Sequence, residues 1–295
     1  MFHVKHDLID ISECPICNSK NKTTHLSVVD HNVSNDVFNI SKCSDCSFLF
    51  TDPIPSKETI GKYYKSDNYI SHSGTKKGLI NSVYHVVRNY QISKKEQLIS
   101  ALTNKKKLLD IGCGTGEFVQ FCEEKGWQVF GTEPDTKTRA RVQIESVCSD
   151  IWAQKLSKET FSVVTMWHVL EHVYELNYNL KKIVSLIEKN GFLVVAVPNH
   201  DSFDAKKYKE NWVAYDVPIH LHHFRKEDIK NLCAKHNLKL ISVKPLIFDA
   251  FYISLLSEQK RNGNVLFGFI NGLISNIKAK KNKNYSSLIY ILKKC

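Results

Sequence analysis

No stretch of the 295-residue chain reaches the roughly 18 uncharged apolar residues that a membrane-crossing helix needs. An export signal is missing too. Asp7 and Asp10 interrupt the start where such a signal would carry an apolar run, so the expected location is cytoplasmic. Internal repeats are absent, and the one biased tract is the Lys/Asn run at 278–284. The nine cysteines are odd in number. Without an export signal they argue against a disulfide framework and leave metal binding as the reading for any that cluster. Acidic residues are outnumbered, 30 against 41 Lys and Arg, but the excess is uneven. Six lysines and no acid between Lys278 and Cys295 supply +6 of the formal +11. This is a basic tail on a mildly basic body, which weakens any argument for nucleic acid built on charge alone.

With 42% hydrophobic and 24% charged residues, the composition is that of a globular protein. Its length suits one large α/β domain with a small appendage. Residues 1–55 hold two cysteine pairs between short β-prone runs, Leu26-Ser-Val-Val29, Val37-Phe-Asn-Ile-Ser41 and Phe48-Leu-Phe-Thr51, ending at the break Asp52-Pro-Ile-Pro55. Residues 56–105 read as a helical linker or lid, with helices at 56–65 and 79–102. The second places Val83, Val86, Val87, Tyr90, Leu98, Ile99 and Leu102 at helical spacing.

From residue 106 to 295 the pattern alternates. Strands are expected at 107–112, 127–132, 144–148, 161–167, 192–197, 238–247 and 286–292, and helices at 116–125, 135–142, 174–189 and 225–237. That alternation predicts a doubly covered, largely parallel Rossmann-like sheet. Segments 199–224 and 248–284 are left over on the substrate side.

The first of these strands ends in Asp110 and runs into Gly112-Cys113-Gly114-Thr115-Gly116 and a helix. Three residues without side-chain bulk let the backbone approach a ligand at the carboxyl end of the strand. A dinucleotide fingerprint would need glycine where Glu117 stands. Carboxylates at Asp110 and Glu117 would repel a pyrophosphate but suit a ligand carrying an ammonium and a sulfonium. The second strand ends at Glu133-Pro134, where a carboxylate can accept bonds from ribose hydroxyls, and Asp150 follows the third strand, within reach of an adenine amino group. A nucleoside with a cationic amino-acid end is implied.

In these features residues 107–198, about a third of the chain, resemble class I S-adenosylmethionine-dependent methyltransferases. The resemblance implies a seven-stranded sheet whose last strand is antiparallel, which 286–292 would supply. Phe161-Ser-Val-Val-Thr-Met-Trp-His-Val-Leu-Glu-His-Val173 is similar to the fourth-strand segment of quinone-biosynthesis O-methyltransferases. That similarity implies that Trp167 lies against the cofactor and that His168, Glu171 and His172 face the mouth of the site. Those relatives have a glutamate at the position of His168 and use a divalent ion, which His168, Glu171 and His172 would hold here.

Cys14-Pro-Ile-Cys17 and Cys43-Ser-Asp-Cys46 form two CxxC knuckles, a spacing that closes a tetrahedral, four-sulfur structural zinc site with no open position for catalysis. The order of parts, zinc ribbon before class I core, is also similar to sugar C-methyltransferases. This chain has Ile219-His220 where related sequences often show Glu-His.

Methyl transfer from a sulfonium requires alignment and, for many acceptors, removal of a proton, a task suited to histidine. His220 is the first candidate base and His168 the second, with Glu171, His172 and Tyr215 beside them. Tyr208, Trp212 and Tyr215 either wall an acceptor pocket or fill a lid. The expected acceptor is the O or C of a small metabolite: a sugar, quinone or lipid-linked compound. RNA is the second reading, with the zinc module as its recognition element. Residues 264–277 place Val265, Leu266, Phe269, Ile270, Leu273, Ile274 and Ile277 on one helical face ahead of the lysines. Such a face either packs into the core or lies on an anionic membrane, making peripheral contact through 264–284.

Overall fold

The computed structural model describes residues 8–64, 79–151 and 156–295. The cysteine-bearing segment contributes β1 (Leu8–Ile9), β2 (Lys22–Val29), β3 (Val37–Cys43), β4 (Leu49–Thr51) and β5 (Ile54–Pro55). Both knuckle turns close in the same way. Asn18 and Ser47, each following the second cysteine of its pair, adopt positive φ and return their N–H to the first cysteine's carbonyl at 2.9 Å. The helix expected at 56–65 is only a 3-10 turn, Ile60–Tyr64, in which Tyr63 alone is buried. One buried side chain is too little of an apolar stripe to hold a longer helix. Helix α1 (Leu79–Ser100) follows; Val83 and Val86 lie outside the described side chains.

The part of the chain that forms the main sheet and its covering helices begins with β6 (Lys107–Ile111), α2 (Glu117–Glu124), β7 (Gln128–Thr132), the single-turn α3 (Thr136–Arg139), β8 (Val147–Cys148) and β9 (Phe161–Trp167). It continues through α4 (Leu176–Leu186), β10 (Ile187–Pro198), α5 (Phe203–Tyr208), β11 (His222–His223), α6 (Lys226–Lys235) and β12 (Leu238–Pro245). The chain then forms α7 (Ile247–Lys260), α8 (Val265–Asn282) and β13 (Ser287–Lys294). The sheet order is β12-β13-β10-β9-β6-β7-β8. β13 is antiparallel to both neighbours and the pairs from β10 to β8 are parallel. Phe161 to Met166 of β9 are all buried, as a central parallel strand covered on both faces requires.

Some elements are shorter than their patterns suggest. α3 buries nothing, so the helix expected to 142 ends after the turn that Asp135 caps through Thr138 N. α4 stops at Leu186 because Ile187 already pairs with Phe161; the register then slips before Phe192, around Asn190 at φ 65.

The second sheet, β11-β4-β3-β2, takes its edge strand from the loop after β10. His222 and His223 pair with Phe50 and Leu49, so the cysteine segment is bonded to the residues that carry the histidine cluster. Phe48 and Phe50 share a hydrophobic core with Leu193 and Leu288 of the main sheet.

The two last helices form an antiparallel hairpin in which α8 is turned inside out. Gly268, Asn271, Gly272, Ser275, Asn276 and Ala279 are buried, whereas Leu266, Phe269, Ile270, Leu273 and Ile277 are exposed. The apolar face does not pack into the core. A Cβ on Gly268 would stand 2.7 Å from Leu255 Cα and one on Gly272 2.8 Å from Ala250 O, so these glycines allow the two backbones to approach.

Asp204, fully buried in α5, ties this hairpin to the sheet. It accepts hydrogen bonds from Trp212 Nε1 (2.8 Å), Ser275 Oγ (2.6 Å) and Ser286 Oγ (2.5 Å). Replacing it by alanine strands three buried donors, so Asp204→Ala will cost about 3–5 kcal/mol in urea unfolding, and Asp204→Asn distinctly less.

The buried imidazole of His222 makes a second prediction. Its pKa is lowered by burial from 6.5 to about 4. Between those values the unfolded chain takes up a proton that the folded one refuses, so stability falls as pH drops from 6.5 towards 4. For this residue the loss is about 3 kcal/mol. Unfolding midpoints across that window should follow this slope, and a flat profile would contradict it.

Candidate active site

The glycine loop leaves β6 with Gly112, Gly114 and Gly116 at φ +71, +56 and +83. The three serve different ends. A Cβ on Gly112 would meet Val169 at 2.5 Å and one on Gly116 would meet Val142 at 2.6 Å, whereas Gly114 has open space before it. Gly114 N donates to Glu133 Oε2 (3.0 Å), and Glu133 Oε1 accepts from Asp135 N (2.9 Å), so the carboxylate at the end of β7 braces the loop. Burial raises the pKa of Glu133. Arg139 donates to the carbonyls of Glu133 and Pro134, holding this corner.

Asp110 is buried at the end of β6 and accepts from Thr165 Oγ1 at 2.5 Å. Burial pushes its carboxyl up to about 7, against the pull of Thr165 and Lys95. Asp110, Gly112, Cys113, Gly114, Glu117 and Trp167 line one cleft of about 340 Å³. Trp167 Nε1 is buried without a hydrogen-bond partner among the described residues, and Cys113 is a buried thiol pushed up to about 12 by burial. Asp150 follows β8 on the exposed side, its carbonyl accepting from Cys148 Sγ at 3.2 Å.

Two contributors come from α1. Lys95 also lines the cleft, with its ammonium 4.5 Å from the centroid of the Trp167 ring, and Arg88 pairs with Glu117. Nothing in the sequence distinguishes Lys95 from Lys94 beside it, because only the rotation of the helix decides which one faces the cleft.

The turn after β9 places the second constellation against the first, since Val169 abuts Gly112. His168, at φ +56, has Nε2 3.1 Å from Asp249 Oδ2 and Nδ1 3.5 Å from Glu171 Oε1. Burial works against its charge, but Asp249 and Glu171 outweigh it and raise its pKa to about 10. It is an imidazolium at neutral pH. Asp249, in the first turn of α7, is a partner that an acid in a largely apolar helix does not announce.

Glu171, His172 and His220 converge, with one ligand-capable atom of each lying within 4.8 Å of the others. His220 Nδ1 donates to Ala214 O (2.8 Å) and His172 Nδ1 to Ile219 O (2.9 Å), leaving each Nε2 as the lone-pair nitrogen. Their rings are 4.6 Å apart. Burial, with His220 next, lowers His172 to about 4, and burial lowers His220 as well, so both are neutral. Glu171 is 1% exposed, and neither carboxylate oxygen has a hydrogen-bond partner among the described residues. Burial alone would raise its pKa, but His168 and His220 outweigh that and hold it below the ordinary value. Tyr64, from the linker, reaches His172 Nδ1 at 3.2 Å.

Tyr215 is not part of this convergence. It is buried in the lid core, edge-on to Trp212 and His223, with its phenol pushed up to about 12 by burial. Tyr208 and Trp212 are buried in the same cluster.

The four cysteines of the knuckles meet as their spacing requires. Cys14 Sγ lies 3.5 Å from Cys46 Sγ, Cys17 Sγ lies 3.5 Å from Cys43 Sγ, and all four sulfurs fall within 4.8 Å of one another, a set that fits a tetrahedral zinc ribbon.

Comparison with known proteins adds to this geometry. A ubiquinone biosynthesis O-methyltransferase from Bradyrhizobium diazoefficiens is 26% identical over 122 residues, covering 38% of this chain and 44% of the relative, so the chain spans less than half of that protein. One from Pelagibacter ubique is 22% identical over 180 residues, covering 56% and 73%. Among solved structures, phosphoethanolamine N-methyltransferase 2 of Haemonchus contortus, in complex with S-adenosyl-L-methionine, superposes with a TM-score of 0.51 at 15% identity. It covers 92% of this chain and 68% of that one, a likeness of fold. A family model described as a methyltransferase domain matches residues 85–243, more than half of the chain, and takes in the glycine loop, Glu133 and the His168–His172 turn. The chain belongs to the methyltransferase domain family.

Proposed function

We propose that this protein transfers the methyl group of S-adenosylmethionine to an oxygen or carbon atom of a small metabolite, with a sugar, quinone or lipid-linked compound as the acceptor class. The observation that carries the reading is the direct abutment of the acid-lined glycine cleft on the turn that bears His172 and the buried Glu171, against which His220 converges. When bound, S-adenosylmethionine supplies an electrophilic methyl group on sulfur and a neutral thioether as leaving group. Asp110 receives the cofactor's ammonium, Lys95 its carboxylate, Glu133 the ribose hydroxyls and Asp150 the adenine edge. Gly114 offers open backbone, and Trp167 closes the wall.

His220 removes the acceptor's proton through its free Nε2. His168 is less suited to that task, because Asp249 keeps it protonated. The proton on His220 is stabilised by Glu171, which is buried and faces His168 on its other side. One observation favours a second arrangement: the orphaned Glu171 carboxylate, with the Nε2 atoms of His172 and His220, also offers a divalent cation one oxygen and two imidazole ligands. In that case the ligand set implied by resemblance changes, with His220 in place of His168. The four sulfurs bind a structural zinc ion.

Asp110→Ala and Glu133→Ala should each weaken cofactor binding about 10- to 100-fold in calorimetry. Unchanged affinity in both would overturn the cofactor assignment.

His220→Ala should lower kcat about 100- to 10,000-fold while leaving cofactor affinity intact. The wild-type rate profile should have its acid limb below pH 6.5, since His220 titrates below that value. Loss of activity on mild chelation, restored by magnesium or zinc with the ribbon intact, selects the cation instead. Radiolabelled methyl groups should appear in a small-molecule extract; label appearing only in RNA would reverse the acceptor class.

The purified protein should carry a single equivalent of zinc, and Cys43→Ser should release it and lower the melting temperature. A protein free of zinc yet equally stable would refute the ribbon assignment.

A further inference from the structure

We infer that the α7–α8 hairpin is a docking surface for an anionic lipid bilayer. The reversed polarity of α8 is built in, because each buried polar side chain is bonded. Asn271 Nδ2 donates to Glu258 Oε1 and Tyr208 Oη at 2.9 Å each, Ser275 donates to Asp204, and Asn276 Nδ2 donates to Ile247 O at 2.9 Å. Rotating the helix to bury its apolar side would break all of these and drive Leu or Phe into the space held by Gly268 and Gly272. The outward face therefore stays outward. Leu266, Phe269, Leu273 and Ile277 are 64%, 53%, 46% and 55% exposed.

The Asn276–Ile247 bond sets the end of α8 beside the start of α7, where Ile247, Phe248 and Tyr252 are exposed too. Phe251 of α7 meets Phe269 of α8 with ring centroids 4.9 Å apart, which joins the apolar surface of the two helices. Lys280 and Lys281 follow Ile277 by three and four residues, so they continue the same face, and α8 contains no acid. This charge pattern selects the occupant. In a two-fold contact the same patch meets itself, so a second copy would offer the lysines another α8 that carries no acid to answer them. A bilayer with anionic headgroups answers both the apolar stripe and the lysines at its end. No described helix is long and apolar enough to cross a membrane, which leaves the hairpin lying on the surface.

Docking there has a consequence for the site. Ile247 and Phe248 also line a groove of about 290 Å³ between α1 and α7, and Asp249 in the same turn holds His168.

The test is co-sedimentation of the full chain with vesicles of phosphatidylcholine alone or mixed with phosphatidylglycerol. Binding is expected to the mixed vesicles, to weaken with salt, and to drop about fivefold for each of Lys280→Ala and Lys281→Ala. Phe269→Asp and Leu273→Asp lie on the exposed face and should abolish it while leaving the melting temperature and cofactor affinity unchanged. Absence of wild-type binding, or equal binding by these two variants, would overturn the inference. So would a dimer in light scattering that Leu273→Asp dissolves. Cofactor affinity is read separately, so a failure here leaves the methyl-transfer reading standing, and the reverse also holds.

Discussion

The short pairing of β4 with β11 is the constraint on which the site depends. Thr51 N donates to Leu221 O (3.0 Å), Thr51 Oγ1 donates to His220 O (2.6 Å), and on the other side Leu221 N donates to Glu171 O (2.8 Å). The segment that carries His220 is therefore gripped between the cysteine-bearing sheet and the turn after β9. A two-residue strand cannot hold itself. Its position is inherited from β3 and β4, and theirs from the knuckle that Cys43 and Cys46 close. The cysteine segment thus helps to set where the histidines stand.

Two buried carboxylates show how differently the fold treats the same chemistry. Asp204 sits among three donors and is a structural node. Glu171 is as deeply buried but has imidazoles near it and no bonded donor among the described residues. With His168 at 3.5 Å as its ion-pair partner and no hydrogen-bonded donor among the described residues, it keeps acceptor capacity for a further proton or cation, which is why such groups gather at sites of chemistry.

What was legible in the sequence was local. The Gly112–Gly116 loop, the acid at Glu133, the paired cysteines and the largely apolar run of β9 express themselves over a few residues, and their structure follows from that spacing. His220 meeting Glu171 joins positions far apart in the chain, and Asp249 reaching His168 depends on a helix with no motif of its own. Periodicity in α8 correctly groups Leu266, Phe269, Ile270, Leu273 and Ile277 on one side. It does not say which side faces the protein, since a helix inverted about its axis has the same period. The direction was settled by Gly268 and Gly272, whose small size matters only once α7 lies against them.

β13 lies between β10 and β12 in space but follows both in the chain. During synthesis from the amino end, the two strands it separates exist before it does, and the α7–α8 hairpin must also be made first. Until Ser287–Lys294 arrive, the apolar flank of β10 from Leu193 to Val197 has an open hydrogen-bonding edge, the arrangement that recruits stray strands from other chains. Timing, and not only stability, thus bears on the yield of this protein: slow completion of the hairpin prolongs the interval in which the half-built sheet is sticky.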